Sequence, residues 1–118
     1  MTIQAREANC LFCKMYAGGI PVTFLHKGES SFAIADISPQ APSHFLVIPS
    51  AHYENAAELA DADPSSLADL FAVASRLAAE AGLTGYRTVF NTGESAGQSV
   101  FHAHLHVLGG RPFAWPPG

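Results

Sequence analysis

The chain has 118 residues with a formal net charge of −4 at pH 7, and 48% of its residues are hydrophobic. A chain of this length builds one hydrophobic core, so residues 1–118 are expected to form a single domain. The six lysines and arginines form no cluster, which argues against a dedicated nucleic-acid or membrane-surface binder. No apolar run is long enough to cross a membrane and no signal peptide is recognisable, so the expected location is cytoplasmic.

A short helix with two cysteines is the first predicted element. The segment CLFCKMYA begins at Cys10 and ends before Gly18, and residues 1–8 ahead of it are expected to be flexible. Cys10 and Cys13 form a C-x-x-C pair. In a reducing compartment this spacing indicates metal or redox chemistry more than a structural disulfide.

Short strands and one long helix are predicted for the rest of the chain. Asp63 followed by Pro64 predicts the start of the long helix, and Gly82 its end. The connections are mostly too short for parallel crossovers, so the expected class is α+β, with an antiparallel sheet of about five strands, one long helix and one short helix. The predicted strands lie, in order, in IPVTFLHKGES, SFAIADI, HFLVIP, YRTVFN and VFHAHLHVL.

The last predicted strand contains His102, His104 and His106, at every second position. Side chains in a strand alternate between its two faces, so the three imidazoles face one way and the apolar residues between them face the other. Solvated strand faces are normally built from other polar residues, and neighbouring protonated imidazoles would repel each other. The pattern predicts a surface that handles phosphate, protons or metal.

A polar glycine loop, NTGESAGQS at residues 91–99, leads into the histidine strand. Glycines let backbone N–H groups approach an anion closely, although taken alone the loop could be an ordinary hairpin turn. A phosphate held there could be attacked by an imidazole nitrogen. The product would be a phosphohistidine-type intermediate, which water then hydrolyses.

Several blocks of the sequence together resemble the histidine-triad (HIT) superfamily. HAHLHVL fits its His-x-His-x-His-x-x signature, while DISPQAPSHFLVIPSAH, NTGESAGQSVFHAHLHVLGGR and WPPG are similar to its Hint branch. The resemblance implies a HIT-like fold in a two-fold homodimer, with the tail at residues 111–118 near the partner subunit's active site. It also implies a phosphoramidase that cleaves the P–N bond of a purine nucleoside 5′-phosphoramidate through a nucleotidyl-histidine, giving a nucleoside monophosphate and an amine.

The resemblance implies a role for each residue that matches the family's motifs. His104 is implied as the nucleophile and His106 as the phosphate-binding partner that faces the leaving group. His102 and His44 are implied as supporting histidines, and Asp36 as the acceptor of the ribose hydroxyls. The other implied contacts are Asn91, Gly97, Gln98 and Ser99 at the phosphate and scissile bond, Phe12, Met15, Ile34 and Ile37 around the base, and Trp115 near the partner subunit's site.

A structural zinc site is implied by the same resemblance. Family members with the Cys10–Cys13 pair bind zinc, and His52 and His102 match their remaining ligand positions. A redox role for the pair would be expected in a thioredoxin-like βαβ unit, which the sequence does not show, so no redox cofactor is expected.

Two alternatives to the phosphoramidase stay open. A nucleotidyl transferase or dinucleoside polyphosphate hydrolase would need a second phosphate subsite. A nucleotide-binding scaffold would hydrolyse its ligand only incidentally. In all three cases the expected partners are a purine nucleotide and a second copy of the chain, with neither nucleic acid nor membrane.

Overall fold

A five-stranded antiparallel sheet forms the centre of the protein, and the computed structural model describes residues 8–118. The expected flexible segment 1–8 lies, except for Ala8, outside that range. The strands stand side by side in the order β1-β2-β3-β5-β4, and every neighbouring pair is antiparallel, as predicted. In chain order they are β1 (His26–Lys27), β2 (Ser31–Ala35), β3 (Ser43–Pro49), β4 (Tyr86–Val89) and β5 (Leu105–Gly109).

Three helices accompany the sheet within residues 8–118, where the sequence predicted one long and one short helix. They are α1 (Leu11–Ala17), α2 (Ala56–Ala62) and α3 (Pro64–Glu80), and a 3₁₀ turn follows at Glu94–Ala96. The unpredicted helix is α2, although its N-cap was visible in the sequence: the Asn55 side chain accepts from the Glu58 N–H, and the Glu58 carboxylate accepts from the Glu54 N–H. Within residues 8–118 no helix combines the length and apolarity needed to span a membrane.

Asp63 joins α2 to α3. Its backbone N–H donates to the Leu59 carbonyl at 2.8 Å and so closes the last turn of α2. Its carboxylate accepts from the Ser66 N–H and hydroxyl in the first turn of α3, and these bonds hold the pKa of Asp63 below its usual value. One residue therefore ends one helix and begins the next.

Alternation along the strands divides the core between the two faces of the sheet. The apolar side chains of one face pack against α3, and those of the other face pack against α1. The α3 face includes Ala33, Phe45, Val47, Leu105 and Val107, whereas the α1 face includes Phe32, Ile34, Leu46 and Ile48.

The histidine run is only partly a strand, which corrects the prediction of one strand through VFHAHLHVL. The strand β5 begins at Leu105, so His102 and His104 lie in the segment before it. Pro49, at the end of the neighbouring strand, has no N–H to extend the ladder, and the Ala103 N–H donates instead to the Tyr53 carbonyl at 2.7 Å. The alternation holds from Ala103 onward, because Ala103, Leu105 and Val107 are buried and His104 and His106 are only half-buried, whereas His102 is fully buried as well.

Candidate active site

A cavity of about 360 Å³ opens on the α1 face of the sheet. It lies between α1, the segment after β2 and the glycine loop 91–99, and His104 and His106 form part of its wall. Most residues predicted to bind nucleotide meet here. Of the predicted set, the lining contains Phe12, Met15, Ile34, Asp36, Ile37, Asn91, Gly97, Ser99, His104 and His106.

Strand register explains why these polar side chains share one face. His106 lies opposite Leu46, and His44 is two residues from Leu46 along β3, so both histidines face α1. The Asp36 N–H donates to the His44 carbonyl, which brings Asp36 beside His44 at the end of β2. The carboxylate and the two imidazoles therefore converge.

His104 has the geometry of a neutral nucleophile. Its Nδ1 lies 2.8 Å from the His102 carbonyl oxygen, and because a carbonyl only accepts, the proton must be on Nδ1. The other ring nitrogen, Nε2, then has a free lone pair. Burial lowers the pKa of His104, which keeps the ring neutral and the lone pair available.

His44 and His106 form a hydrogen-bonded chain whose direction is set by the backbone. The Gln40 N–H donates to His44 Nδ1 at 3.0 Å, so the proton of a neutral His44 is on Nε2. That proton is donated to His106 Nδ1 at 2.9 Å, which leaves His106 with an Nε2–H donor. Burial lowers the pKa of His106 to about 4, with smaller contributions from His104 and His44. His106 is therefore a neutral donor at neutral pH.

Gln98 holds the glycine loop in shape. Its side-chain oxygen accepts from the Gly93 N–H at 2.9 Å, and its Nε2 donates to the carbonyls of Glu54 at 2.6 Å and Val100 at 3.1 Å. Gln98 is 3% exposed and does not line the cavity. The structure thus places this predicted phosphate contact behind the loop, where it fixes the position of Ser99 and Gly97.

Four side chains that could hold a metal ion converge behind the nucleophile. Their ligand atoms lie within 4.8 Å of one another and belong to Cys10, Cys13, His52 and His102. The Nδ1 atom of His102 lies 3.2 and 3.6 Å from the two sulfurs, and His52 Nδ1 lies 3.7 Å from Cys13 Sγ.

These distances fit a tetrahedral ion. With ligands at about 2.0–2.3 Å from zinc, a sulfur and an imidazole nitrogen lie about 3.5 Å apart. His102 Nε2 donates to the Pro49 carbonyl at 2.8 Å, which leaves the Nδ1 lone pair directed at the sulfurs. Burial lowers the pKa of His102 to about 4, so its ring is a neutral ligand. The donor set is the one that zinc prefers.

The family model of the HIT domain matches residues 17–113. The chain belongs to the HIT family. An uncharacterized HIT-like protein of Synechococcus elongatus is 43% identical over 93% of this chain and 97% of its own length. A HIT family hydrolase from Legionella pneumophila is 46% identical, with a TM-score of 0.89 over 93% of this chain and 100% of the other. One from Clostridium thermocellum is 39% identical, with a TM-score of 0.87 over 92% and 96%.

Some predicted site residues of this HIT protein lie outside the cavity. The His102 ring is fully buried against the cysteines, so only its carbonyl reaches the nucleophile. Trp115 is 83% exposed in the C-terminal tail and does not line the cavity. Ile37 lines the cavity but is 99% exposed, which places it at the rim.

Two contributors to the HIT site were not predicted from the sequence. The backbone N–H of Gln40 sets the tautomer of His44, and Leu46 lines the cavity beside the base-side residues. The sequence did carry a signal for Leu46, because it lies two residues from His44 along β3 and therefore on the same face. No residue-type signal marks Gln40, because any residue except proline offers the same N–H.

Asp36, His44 and His106 also bring three ligand atoms within 4.8 Å of one another. A metal ion there would need the His44 Nε2 lone pair. Because Gln40 already occupies His44 Nδ1 with an N–H, a neutral His44 has its proton on Nε2, where the ion would bind. The chemistry of this second group fits proton handling, and only the Cys–His group fits a metal.

Proposed function

We propose that this HIT protein is a purine nucleoside phosphoramidase that acts through a nucleotidyl-histidine at His104. The observation that supports the proposal most directly is the His104 tautomer, with Nδ1–H bonded to the His102 carbonyl and Nε2 free in a cavity of ligand size.

In the proposed first step, the His104 Nε2 lone pair forms a bond to phosphorus and the P–N bond breaks. The leaving nitrogen takes the electron pair of that bond and a proton from solvent water, while the neutral His106 ring, 5.1 Å from His104 between ring centroids, keeps its Nε2 proton and donates it as a hydrogen bond to the phosphate. His104 gains positive charge as its bond to phosphorus forms, next to the negative phosphate oxygens. The products of this step are the amine and the nucleotidyl-His104.

In the second step, a water oxygen attacks phosphorus and the bond to His104 Nε2 breaks. The water proton returns to solvent, and His104 is again neutral. The net reaction consumes one phosphoramidate and one water and releases a nucleoside monophosphate and an amine. The His44 N–H bonded to His106 Nδ1 keeps the His106 proton on Nε2, directed at the phosphate, in both steps.

Nucleotide recognition is assigned to the cavity wall. The buried side chains of Phe12 and Ile34, with Met15, offer an apolar surface for a base. Asp36 Oδ1 accepts from the Ser38 N–H at 2.8 Å, and Oδ2 lies 3.4 Å from His44 Nε2, so the carboxylate is fixed at the end of the cavity. Asp36 is assigned to the ribose hydroxyls. Asn91, Gly97 and Ser99 are assigned to the phosphate.

Zinc is the metal proposed for the Cys–His cluster. Two thiolates and two neutral imidazoles form a closed set of four ligands without a position for water, so the ion would stabilise the fold and would not activate the nucleophile. Elemental analysis of freshly purified protein is expected to give about one zinc per chain, and chelation should lower the melting temperature. Metal-free protein whose stability is unaffected by chelators would contradict this assignment.

The activity is tested by steady-state kinetics on adenosine 5′-phosphoramidate and on a dinucleoside polyphosphate, together with mass spectrometry of enzyme quenched during turnover. We expect the phosphoramidate to be the better substrate, with an AMP adduct on the peptide that contains His104. His104→Ala should lose turnover and keep AMP binding.

Two results would redirect the assignment. Faster turnover of the polyphosphate would favour the polyphosphate hydrolase or transferase. Turnover of neither substrate, with AMP still bound, would favour a binding scaffold.

A further inference from the structure

His102 belongs to two sites at once. Its ring lies between the two cysteine sulfurs and the Pro49 carbonyl, while its own carbonyl accepts the Nδ1–H of His104. A shift of the His102 ring moves its backbone, and the hydrogen bond of 2.8 Å that fixes the nucleophile's tautomer depends on that backbone.

The helix α1 makes a second connection between the cluster and the cavity. Cys10 is its N-cap and Cys13 lies in its first turn, so the cluster holds the start of the helix. Between the two cysteines, Phe12 packs edge-on against the His102 ring at 5.7 Å and the His104 ring at 5.1 Å. Phe12 also lines the nucleotide cavity.

We infer that the Cys10–Cys13–His52–His102 cluster, when it binds its metal, positions the nucleophile and the base-side wall of the cavity. The inference rests on the proposed function, because it deepens the role of the same cavity. Loss of the metal releases α1 and the His102 ring together. Nucleotide affinity and the fixed His104 tautomer are then lost while the sheet remains folded, so metal occupancy controls the site as well as stability.

His52 offers the sharpest test, because it belongs to the cluster but does not line the nucleotide cavity. His52→Ala should lose the metal, weaken AMP binding by about tenfold and replace the single His104 tautomer, seen by ¹⁵N NMR of the ring, with a mixture. His52→Cys supplies a thiolate in place of the imidazole and should restore metal, affinity and tautomer.

A matched control separates positioning from stability. Leu70 is fully buried on the α3 face, and Leu70→Ala should lower the melting temperature without changing AMP affinity by more than about twofold. If His52→Ala does not fold, stepwise chelation of the wild-type protein, followed by the same NMR spectrum, gives the test.

The inference is overturned if metal-free protein, made by either route, retains one His104 tautomer and wild-type AMP affinity. Failure of the proposed function looks different. In that case wild-type protein with its metal in place does not bind AMP, and the His104 spectrum still reports whether the cluster positions the ring.

Discussion

Backbone groups determine which ring nitrogen carries the proton in the histidines of this site. The His102 carbonyl places the His104 proton on Nδ1, and the Gln40 N–H places the His44 proton on Nε2. Each ring is thereby given one role, lone-pair donor or hydrogen-bond donor, before substrate arrives. Burial lowers the pKa of both His104 and His106 and keeps the two roles separate at neutral pH.

His44→Phe tests this chain. The substitution removes the donor to His106 Nδ1 and leaves the Gln40 N–H without its acceptor, so we expect kcat to fall about 100-fold with little change in AMP affinity. Steady-state kinetics and calorimetric AMP titration measure the two quantities. His26→Phe, on β1 and bonded to Arg76, is the matched control and should keep its rate. An unchanged kcat in His44→Phe would contradict a catalytic role for the hydrogen bond from His44 to His106.

At the scale of elements, the glycine loop is held by one amide side chain. Gln98 spans the loop from Gly93 to Val100 and ties it to Glu54, just before α2. The position of the phosphate-side residues therefore depends on a hydrogen bond to a backbone segment that is distant in sequence.

Gln98→Glu preserves the shape of this side chain and removes its donors. A carboxylate facing the Glu54 and Val100 carbonyls loses two hydrogen bonds in a buried site, so the free energy of unfolding should fall by about 2 kcal/mol. Urea denaturation measures the loss. Glu94→Gln, an exposed change in the same loop, should leave stability unchanged; equal stability of the two variants would show that Gln98 does not hold the loop.

The sheet and the meeting of His104, His106 and Asp36 were predictable, because strand alternation and motif blocks are local patterns. The His102 ring was assigned both a supporting and a metal-ligand role, and only its three-dimensional contacts place it with the cysteines. The contacts of the Gln98 amide and the start of β5 at Leu105 were not predictable, since both depend on partners more than forty residues away. Long-range contacts of backbone carbonyls cannot be predicted from residue type, because every residue carries the same carbonyl.

At the scale of the whole molecule, β4 and the C-terminal tail lie at one edge of the sheet. An edge strand presents unpaired backbone groups, and β4 is short, with Tyr86 42% exposed. The tail is fixed near this strand: Arg87 donates to the Ala114 carbonyl and lies over the Phe113 ring. Trp115 follows in the tail and is 83% exposed.

We expect a two-fold dimer in solution, measured by sedimentation. Deletion of residues 115–118 removes Trp115 and spares Phe113, so it should change the preference among amine leaving groups more than the melting temperature. The leaving-group preference is measured as kcat/KM over a series of phosphoramidates, and the melting temperature is measured by thermal unfolding. A fully active monomer, or a truncated chain with unchanged preference, would place the tail outside the site.

The shared cap at Asp63 has a consequence for local unfolding. At seven residues, α2 is too short to persist without support, and part of that support is the Asp63 N–H, whose residue is fixed by the first turn of α3. When α3 frays at its start, α2 loses its last turn as well. If unfolding continues through all of α2, it reaches Glu54 just before the helix, whose carbonyl accepts from Gln98. Fluctuations at a helix junction outside the cavity therefore reach the glycine loop through a single amide.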